Sequence, residues 1–385
     1  MTPKQRIYAI LEGKNVDRAP FHLYITWPEY GWKLTGFPVW EILFGELDGI
    51  EIFDKILKKH ISDIAHGPVG KIGNGWLKDK KIIKETHEYV FFECTKTNKK
   101  WRFDINSHVL VEIDDSGCII PSKHPGNSRL AEEIPTTLAE AQDWFEKRYR
   151  NIPYELPPPQ DELAVKKWGK EYFMVTSTLG PFVSVAYSFG FEQSMFLLAE
   201  YPDIFINLAE LFIQRYEIHY EWAKQAGYDC GHMVESWCSA DVISPDTYKN
   251  WIAPIHRQAV SMIKSKGLKA ELYNPGWSIP LLPFFREQGW DIIRFDDQCH
   301  GAEQDIAVIR NTLGSEQCLY GNMNAYSLLG GNWDDIAERT RYQYEKGAKT
   351  GPFIMSNGSG ICDKTEPEII DRWIDYYFTL SQEEN

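Results

Sequence analysis

The amino-acid sequence predicts an α/β fold, a (β/α)8 barrel of the TIM type with a β-hairpin-containing insertion between strands 2 and 3. Short apolar segments recur along the 385 residues, several end in polar residues, and a helical pattern follows most of them. The clearest polar ends are Tyr273-Asn274, Asp296-Asp297 and Asn322-Met323-Asn324. Because the chemistry of such barrels lies at the carboxyl ends of the strands, these ends are where a site is expected.

Eight apolar segments are predicted as the barrel strands. They span residues 19–25, 62–66, 170–177, 228–235, 269–274, 291–296, 317–322 and 352–356. One intervening helix begins at Pro202 and ends at Gly227, since proline suits the first turn and glycine the position after the last. The next helix begins at Ser244 and contains Pro254, which should kink it.

Residues 80–121 do not follow this alternation of strand and helix patterns. The segments EYVFFECT and KKWRFDIN are joined by Lys96-Thr97-Asn98, which predicts a β-hairpin, and the Pro-rich run 153–159 is typical of a stiff connector. We therefore expect one barrel domain over residues 1–385, with an insertion at about 75–165. Two separate domains remain the alternative, because chain length is a weak guide to domain number.

Composition excludes several classes of partner. The net charge is −14 and the pI about 5.3, which argues against nucleic acid or an anionic membrane as the main partner. No apolar run approaches the roughly 20 residues that span a bilayer. The N-terminal MTPKQRIYAILEGK is typical of an amphipathic helix rather than a signal peptide, and seven scattered cysteines indicate reduced thiols. We expect a cytoplasmic protein.

An ordered set of short motifs resembles the uroporphyrinogen decarboxylase superfamily. The opening pattern K-x-R-x4-L-x-G-x3-D-R-x-P is matched by Lys4, Arg6, Leu11, Gly13, Asp17, Arg18 and Pro20. Later matches are Gly180-Pro181-Phe182, the run 243–248, Pro254, Gly321-Asn322 and the run 358–361. The resemblance covers essentially the whole chain and implies a (β/α)8 barrel, in agreement with the strand count.

One branch of that superfamily decarboxylates a tetrapyrrole without a cofactor. Its members carry an arginine-rich segment after the first strand, because the planar guanidinium pairs well with carboxylates. The corresponding stretch here, residues 22–36, contains no arginine. A substrate with eight carboxylates would find little to hold it, so a cofactor-independent decarboxylase of a smaller substrate is kept only as an alternative.

The other branch transfers methyl groups and involves a corrinoid protein. Its members often bind zinc through a His-x-Cys-Gly segment and a later Gly-Cys-Gly, and the zinc activates a thiol. At the matching positions this chain has Tyr273, Pro275 and Ser359. The resemblance therefore implies that the thiol-activating zinc site is missing.

A third pattern is found in methyltransferases that cleave aryl methyl ethers. Some are thought to bind zinc through a Glu…Glu…His arrangement, for which this chain offers Glu221, Glu235 and His256 as weak candidates. Two of these lie on predicted helices, where an exposed charged residue is the ordinary case. Whether zinc is bound, and by which residues, stays open.

Ether cleavage requires a proton donor, because a phenoxide with a pKa near 10 leaves poorly unless it is protonated. Tyr273 at the end of the fifth strand and Glu235 at the end of the fourth are the predicted catalytic donors. The alternatives are a packing role for the tyrosine and a structural hydrogen bond for the glutamate. If Glu235 faces the barrel interior, strand alternation turns Cys230 and His232 toward the helices.

Aromatic and amide side chains near the strand ends are predicted to bind substrate. The indoles of Trp27, Trp237 and Trp277 are suited to stack against a planar substrate ring. They are equally suited to a docking surface for a partner protein or to ordinary packing within loops. His22 and Tyr24 share the inner face of the first strand, and the asparagines can hydrogen-bond substrate oxygens. The predicted substrate-binding residues are His22, Tyr24, Trp27, Trp237, Asn274, Trp277, Asn322, Asn324 and Asn357.

The resulting hypothesis is an O-demethylating methyltransferase. It would move the methyl group of a small methylated compound, preferably a guaiacol- or veratrole-type ether, to the cobalt(I) of a corrinoid (cobalamin). A separate corrinoid protein would carry the cobalt and dock on the strand-end face, because no cobalamin-binding D-x-H-x-x-G segment is present. A non-catalytic aromatic-binding barrel is the second alternative.

Overall fold

A computed structural model describes residues 1–25, 30–67, 71–120, 134–149, 159–299 and 301–382. The chain forms two compact units. The first comprises Met1–Thr26, His60–Pro68 and Arg129–Asn385, and the second comprises Trp27–Lys59 and Val69–Ser128.

The first unit is built on eight parallel strands in barrel order. In chain order they are Phe21–His22, Ile64–Gly67, Phe173–Leu179, Cys230–Val234, Lys269–Asn274, Ile292–Phe295, Cys318–Tyr320 and Phe353–Ser356. From the second to the eighth, each strand pairs with the next one in the sequence, and the eighth pairs with the first. Between the first two strands, the Asp63 amide donates to the Phe21 carbonyl at 2.8 Å. All eight predicted strands are present, which confirms the predicted fold class.

Helices follow the strands, and their ends obey local rules. Those of the first unit are Pro3–Leu11, Leu138–Tyr149, Pro159–Trp168, Pro181–Phe189, Phe191–Glu200, Pro202–Ala226, Pro245–Thr247, Ala253–Ser265, Leu282–Arg286, Ile306–Leu313, Ala325–Gly330, Trp333–Lys346 and Pro367–Gln382. Gly227 ends one helix in the left-handed region (φ +100°). A π-helical turn at Tyr248–Ile252 interrupts the helix predicted from Ser244, and Pro254 lies in the first turn of the next helix, so the kink at Pro254 stays a prediction.

The opening motif ties the N-terminal segment to the second strand. Asp63 is fully buried and accepts hydrogen bonds from Arg6 at 2.5 Å and from Arg18 at 2.8 Å. Asp17 binds the Nε of Arg6 at 2.7 Å, and that hydrogen bond is the main reason its pKa lies well below the usual range. Three motif residues therefore have a structural role.

The second unit has its own hydrophobic core and an antiparallel sheet. The sheet strands are Lys80–Glu85, Tyr89–Cys94, Lys100–Asp104 and Val109–Ile113, and the helices are Gly31–Thr35, Val39–Phe44 and Gly49–Lys59. The two strands flanking Lys96-Thr97-Asn98 pair as a hairpin, while most of the Pro-rich run 153–159 lies outside the described residues. The single domain over 1–385 and the insertion limits of about 75–165 stay predictions.

Within the described ranges, no single helix is long and apolar enough to cross a membrane. The helices Pro181–Phe189 and Phe191–Glu200 meet the length and composition test only together, and they are bent by 115°. Most residues of the first of these helices are buried in the protein.

Candidate functional site

Polar and aromatic side chains from six barrel strands meet in the barrel interior. The rings of His22 and His66 stack at 5.0 Å, and the ring of Tyr24 meets that of Tyr273 edge-on at 5.9 Å. His22 also lies 5.9 Å from Tyr320 of the seventh strand. Strands on opposite sides of a barrel can touch only through its centre, so these side chains line the interior.

Arg294 of the sixth strand lies at the centre of this cluster and is fully buried. Its guanidinium carbon is 3.3 Å from the centre of the Tyr24 ring and 4.8 Å from that of Tyr273. Its Nη2 donates to the carbonyls of Asn357 and Gly358 at 3.0 and 3.1 Å. Cation–π contacts thus fix the arginine against two tyrosines at the strand-end side.

Tyr273 and Asp296 form a hydrogen-bonded pair at the ends of neighbouring strands. The Tyr273 hydroxyl donates to the Asp296 carboxylate at 2.8 Å. Burial raises the pKa of Asp296, while the Tyr273 hydrogen bond and the charge of Arg294 oppose that rise. Burial and the Asp296 charge raise the pKa of Tyr273 well above its usual value. Burial therefore favours the protonated form of Asp296 more than it would be favoured in an exposed carboxyl.

The fourth strand turns His232 and Cys230 inward. Cys230 belongs to the interior apolar cluster, and the Nδ1 of His232 is 2.8 Å from the Glu271 carboxylate. The expectation that these two residues face the helices is wrong. Side chains alternate along a strand, so an inward Cys230 and His232 place Glu235 on the outer side.

Glu235 is fully buried between helices rather than in the interior. It accepts hydrogen bonds from the amides of Phe182 and Val183, both at 3.1 Å, and contacts the Nε2 of His256 at 3.0 Å. These two amides belong to the N-terminus of the helix Pro181–Phe189, so the Glu235 side chain is held by that helix end. A methyl group added at Gly180 would overlap the Glu235 carboxyl, so glycine is required there. This placement argues against the predicted proton-donor role.

The same region brings together three possible metal ligands. Ligand atoms of Glu235, Cys238 and His256 lie within 4.8 Å of one another, and all three residues are buried. The Nδ1 of His256 is held by the Tyr248 hydroxyl at 2.7 Å. The sequence paired Glu235 with His256, but its third candidate, Glu221, is wrong because that side chain is 59% exposed on the helix Pro202–Ala226.

The predicted asparagines hold backbone near the strand ends. Asn274 donates to the Cys238 carbonyl at 2.7 Å, and Asn357 binds both the amide and the carbonyl of Tyr24. Asn322 donates to the Gln304 carbonyl at 2.8 Å, and Asn324 caps the helix Ala325–Gly330. Their contacts with substrate stay a prediction.

Two of the three predicted indoles are described, and the contacts of all three with substrate stay a prediction. Trp27 lies outside the described residues. Trp237 has a left-handed backbone (φ +62°), is 37% exposed, and meets Tyr187 and Phe191 edge-on at 5.0 and 5.6 Å. Trp277 is similarly exposed, and no described ring contact joins it to Trp237.

Sequence reasoning missed Arg294, Asp296, His66 and Glu271 as site residues. A usable signal existed for the arginine, because a charge within the apolar run DIIRF must be buried if the run is a barrel strand. For Glu271 the signal was similar, within AELYN. Their convergence depends on which strand faces which, and short-range patterns carry no such information.

Similarity to known proteins agrees with this fold. The family model described as "Uroporphyrinogen decarboxylase (URO-D)" matches residues 106–378. A uroporphyrinogen decarboxylase from Arthrobacter sp. (strain FB24) is 23% identical over 159 residues, which cover 41% of this chain and 44% of that protein. One from Bacillus pumilus (strain SAFR-032) is 23% identical over 157 residues, 41% of this chain and 42% of that protein.

A solved structure, "methyltransferase from Methanosarcina mazei", is similar over 99% of both chains, with a TM-score of 0.63 and 16% identity. That likeness shows the fold. The curated relatives are matched over less than half of their length, whereas the family model matches well over half of this chain. The chain therefore belongs to the uroporphyrinogen decarboxylase (URO-D) family.

Proposed function

We propose that this protein is a methyltransferase that demethylates a small methylated compound, with an aryl methyl ether as the favoured donor. The acceptor is the cobalt(I) of a corrinoid carried by a separate protein. The observation that carries the proposal is the hydrogen-bonded pair of Tyr273 and Asp296, a proton source at the strand ends. The methyltransferase whose structure is similar over the whole chain supports the class of reaction.

The reaction breaks the bond between oxygen and the methyl carbon. The corrinoid, when present, supplies a nucleophile that takes the methyl group, and the aryl oxygen keeps the bonding electron pair. That oxygen needs a proton, because phenoxide with a pKa near 10 is a poor leaving group. When Asp296 is protonated, the hydrogen bond between the two side chains reverses, so that Asp296 donates to Tyr273. The Tyr273 hydroxyl then gives its proton to the aryl oxygen and takes the proton of Asp296, which is left as a carboxylate. A positioned acid of this kind contributes about 10²–10⁴ in rate.

The raised pKa of Asp296 suits this role. An exposed carboxyl is almost fully ionised at neutral pH, whereas burial keeps more of Asp296 protonated. Tyr273 alone would be a weaker acid, since its own pKa lies well above 10. Tyr273 paired with Asp296 is therefore a better proton source than Tyr273 alone, which is the donor that the sequence predicted.

A thiol-activating zinc does not fit the positions that the resemblance indicates. Pro275 has no side-chain ligand atom, and the Tyr273 hydroxyl is already bound to Asp296. No step of the proposed reaction passes through a metal at these residues.

Glu235, Cys238 and His256 are the residues that fit zinc, because they offer oxygen, sulfur and nitrogen ligands close together. Burial raises the pKa of the Cys238 thiol, so binding would have to displace its proton. Glu235 faces the helices rather than the interior, so a zinc held there would stabilise the loop after the fourth strand.

The corrinoid protein is proposed to dock on the strand-end face. Tyr187, Phe191 and Trp237 form an exposed aromatic cluster beside the third and fourth strands, at 47%, 41% and 37% exposure. Exposed aromatic residues are frequent at the energetic centres of interfaces. We place the reaction in the cytoplasm, where thiols stay reduced, and the buried cysteines Cys94, Cys230, Cys238 and Cys318 are free thiols.

The test mixes the purified protein with a reduced corrinoid protein and a panel of methoxyarenes, and follows the cobalt absorbance. Methylation with release of a phenol is the expected result. Release of CO₂ from aromatic acids without any corrinoid would replace the proposal by the decarboxylase alternative. Tight aromatic binding with neither reaction would indicate a non-catalytic barrel.

A further inference from the structure

The Arg294 guanidinium is fully buried and incompletely paired. Among the described residues, its Nε and Nη1 have no hydrogen-bond partner, whereas Nη2 donates to two backbone carbonyls. In the described part of the chain it forms no ion pair with a carboxylate. A buried charge without a directly bonded counter-charge is unfavourable, and a ligand that supplies one would complete it.

Other buried groups of the barrel interior also lack hydrogen-bond partners among the residues that the structure describes. They are the Nε2 atoms of His22 and His66, the Oε2 of Glu271 and the hydroxyl of Tyr320. The interior therefore holds donors and acceptors that the protein itself leaves unused. Buried polar groups are normally hydrogen-bonded, and a concentration of exceptions points to a missing polar ligand.

The tautomer of His22 follows from its surroundings. The Ser62 hydroxyl donates to the Ile64 carbonyl at 2.8 Å, so the Nδ1 of His22, at 3.1 Å, is the donor to Ser62. Burial lowers the pKa of His22, which keeps the ring neutral and its Nε2 an acceptor. His22 does not compete with Arg294 for a negatively charged group.

Access to the guanidinium is controlled by Tyr24. Its ring covers Arg294 at 3.3 Å, and Tyr24 lies at the strand-end side and is half-buried. Its amide and carbonyl are both fixed by the side chain of Asn357, at 2.9 and 2.7 Å. The backbone of Tyr24 is thus held in place, and its ring is the part that would have to move to uncover Arg294.

We infer that Arg294 is the carboxylate-binding residue of the donor site, so that the methyl donor is a methoxylated aromatic acid rather than neutral guaiacol or veratrole. This inference rests on the proposed methyl transfer, whose site it specifies further. Arginine binds carboxylates with charge-assisted hydrogen bonds. One interior arginine matches one carboxylate, in contrast to a substrate with eight. Tyr24 and Tyr273 flank the guanidinium and would contact the ring of the acid.

The test is a calorimetric titration of the full-length protein with 4-methoxybenzoate and with neutral, nearly isosteric 4-methoxybenzamide. Charged hydrogen bonds predict that the acid binds about 10- to 100-fold more tightly than the amide. Arg294→Met should abolish this preference, and Arg294→Lys should keep part of it. Circular dichroism checks that each variant is folded. The comparison of acid and amide binding to the wild-type protein tests the inference even if a variant fails to fold.

Equal affinity of the wild-type protein for acid and amide would overturn the inference, as would a preference that survives in Arg294→Met. The titration contains no corrinoid, so it is independent of methyl transfer. A preference for the acid without cobalt methylation would contradict the proposed function and leave Arg294 as a carboxylate site. Cobalt methylation by neutral ethers without that preference would contradict the inference alone.

Discussion

Two buried polar clusters of this protein differ in how completely they are hydrogen-bonded. In the cluster of Glu235 and His256, both carboxylate oxygens and both imidazole nitrogens have partners. In the interior cluster around Arg294 and Glu271, several buried atoms have none. A fully satisfied buried network stabilises a fold, whereas an unsatisfied one is costly unless it serves a ligand. From this difference we infer a structural role for the first cluster and propose the second as the site of the reaction.

The largest effect is expected for Asp296→Asn, which removes the ionisable proton of the interior pair and keeps its shape. Methyl transfer should fall by about 10²–10⁴, because the leaving phenoxide then lacks its proton source. Single-turnover cobalt absorbance measures the rate, and Asp334→Asn on the surface is the matched control. A methyl-transfer rate of Asp296→Asn within a few-fold of wild type would show that Asp296 is not the proton source.

Glu235→Ala should destabilise the protein by about 3–5 kcal/mol, because it leaves His256 and two helix amides without their buried partner. Urea unfolding followed by circular dichroism measures the change. The exposed Glu221→Ala should change the free energy of unfolding by less than about 0.5 kcal/mol. Equal effects of the two substitutions would show that the Glu235 cluster does not stabilise the fold.

Gly180→Ala probes the same cluster from the other side. The added methyl group overlaps the Glu235 carboxyl, and overpacking of this kind costs about 1–3 kcal/mol. Gly330→Ala is the control, since a methyl group there meets no neighbouring atom. Thermal unfolding of both variants should show a loss for Gly180 only, and an unchanged Gly180→Ala would contradict the close contact.

The pH dependence of methyl transfer should report the interior pair. The acid must be protonated, so the rate should fall as pH rises through the raised pKa of Asp296. The Tyr273 hydrogen bond lowers that pKa, so Tyr273→Phe should shift the falling limb to higher pH as well as slow the reaction. If the rate of methyl transfer falls at the same pH in Tyr273→Phe as in wild type, a group other than Asp296 titrates.

The smallest effect is expected from metal removal. The site that fits zinc lies on the helix side of the fourth strand, so chelation should leave the rate of methyl transfer unchanged while it lowers thermal stability if zinc is bound. Elemental analysis before and after chelation provides the comparison. Loss of methyl transfer that zinc restores would place a metal in the reaction.

Sequence reasoning predicted the barrel well and the site only in part. Strand segments such as 269–274 and 291–296 are short, apolar and bounded by polar residues, so local pattern is enough to find them. The sequence placed Glu235 on the wrong face of its strand. Alternation shows which residues of a strand share a face, but it does not show which of the two faces points into the barrel. Arg294 and Tyr24 are 270 positions apart in the chain, and only strand closure brings them into contact.

The most direct measurement is the yield of methylated cobalt and free phenol from a methoxylated aromatic acid, by wild-type protein and by Asp296→Asn and Tyr273→Phe. Wild type should form both products in equal amounts, and each substitution should slow their formation while the acid still binds. Full-rate product formation by both variants, or no methylated cobalt from any methoxyarene with the wild type, would contradict the role of the interior proton pair.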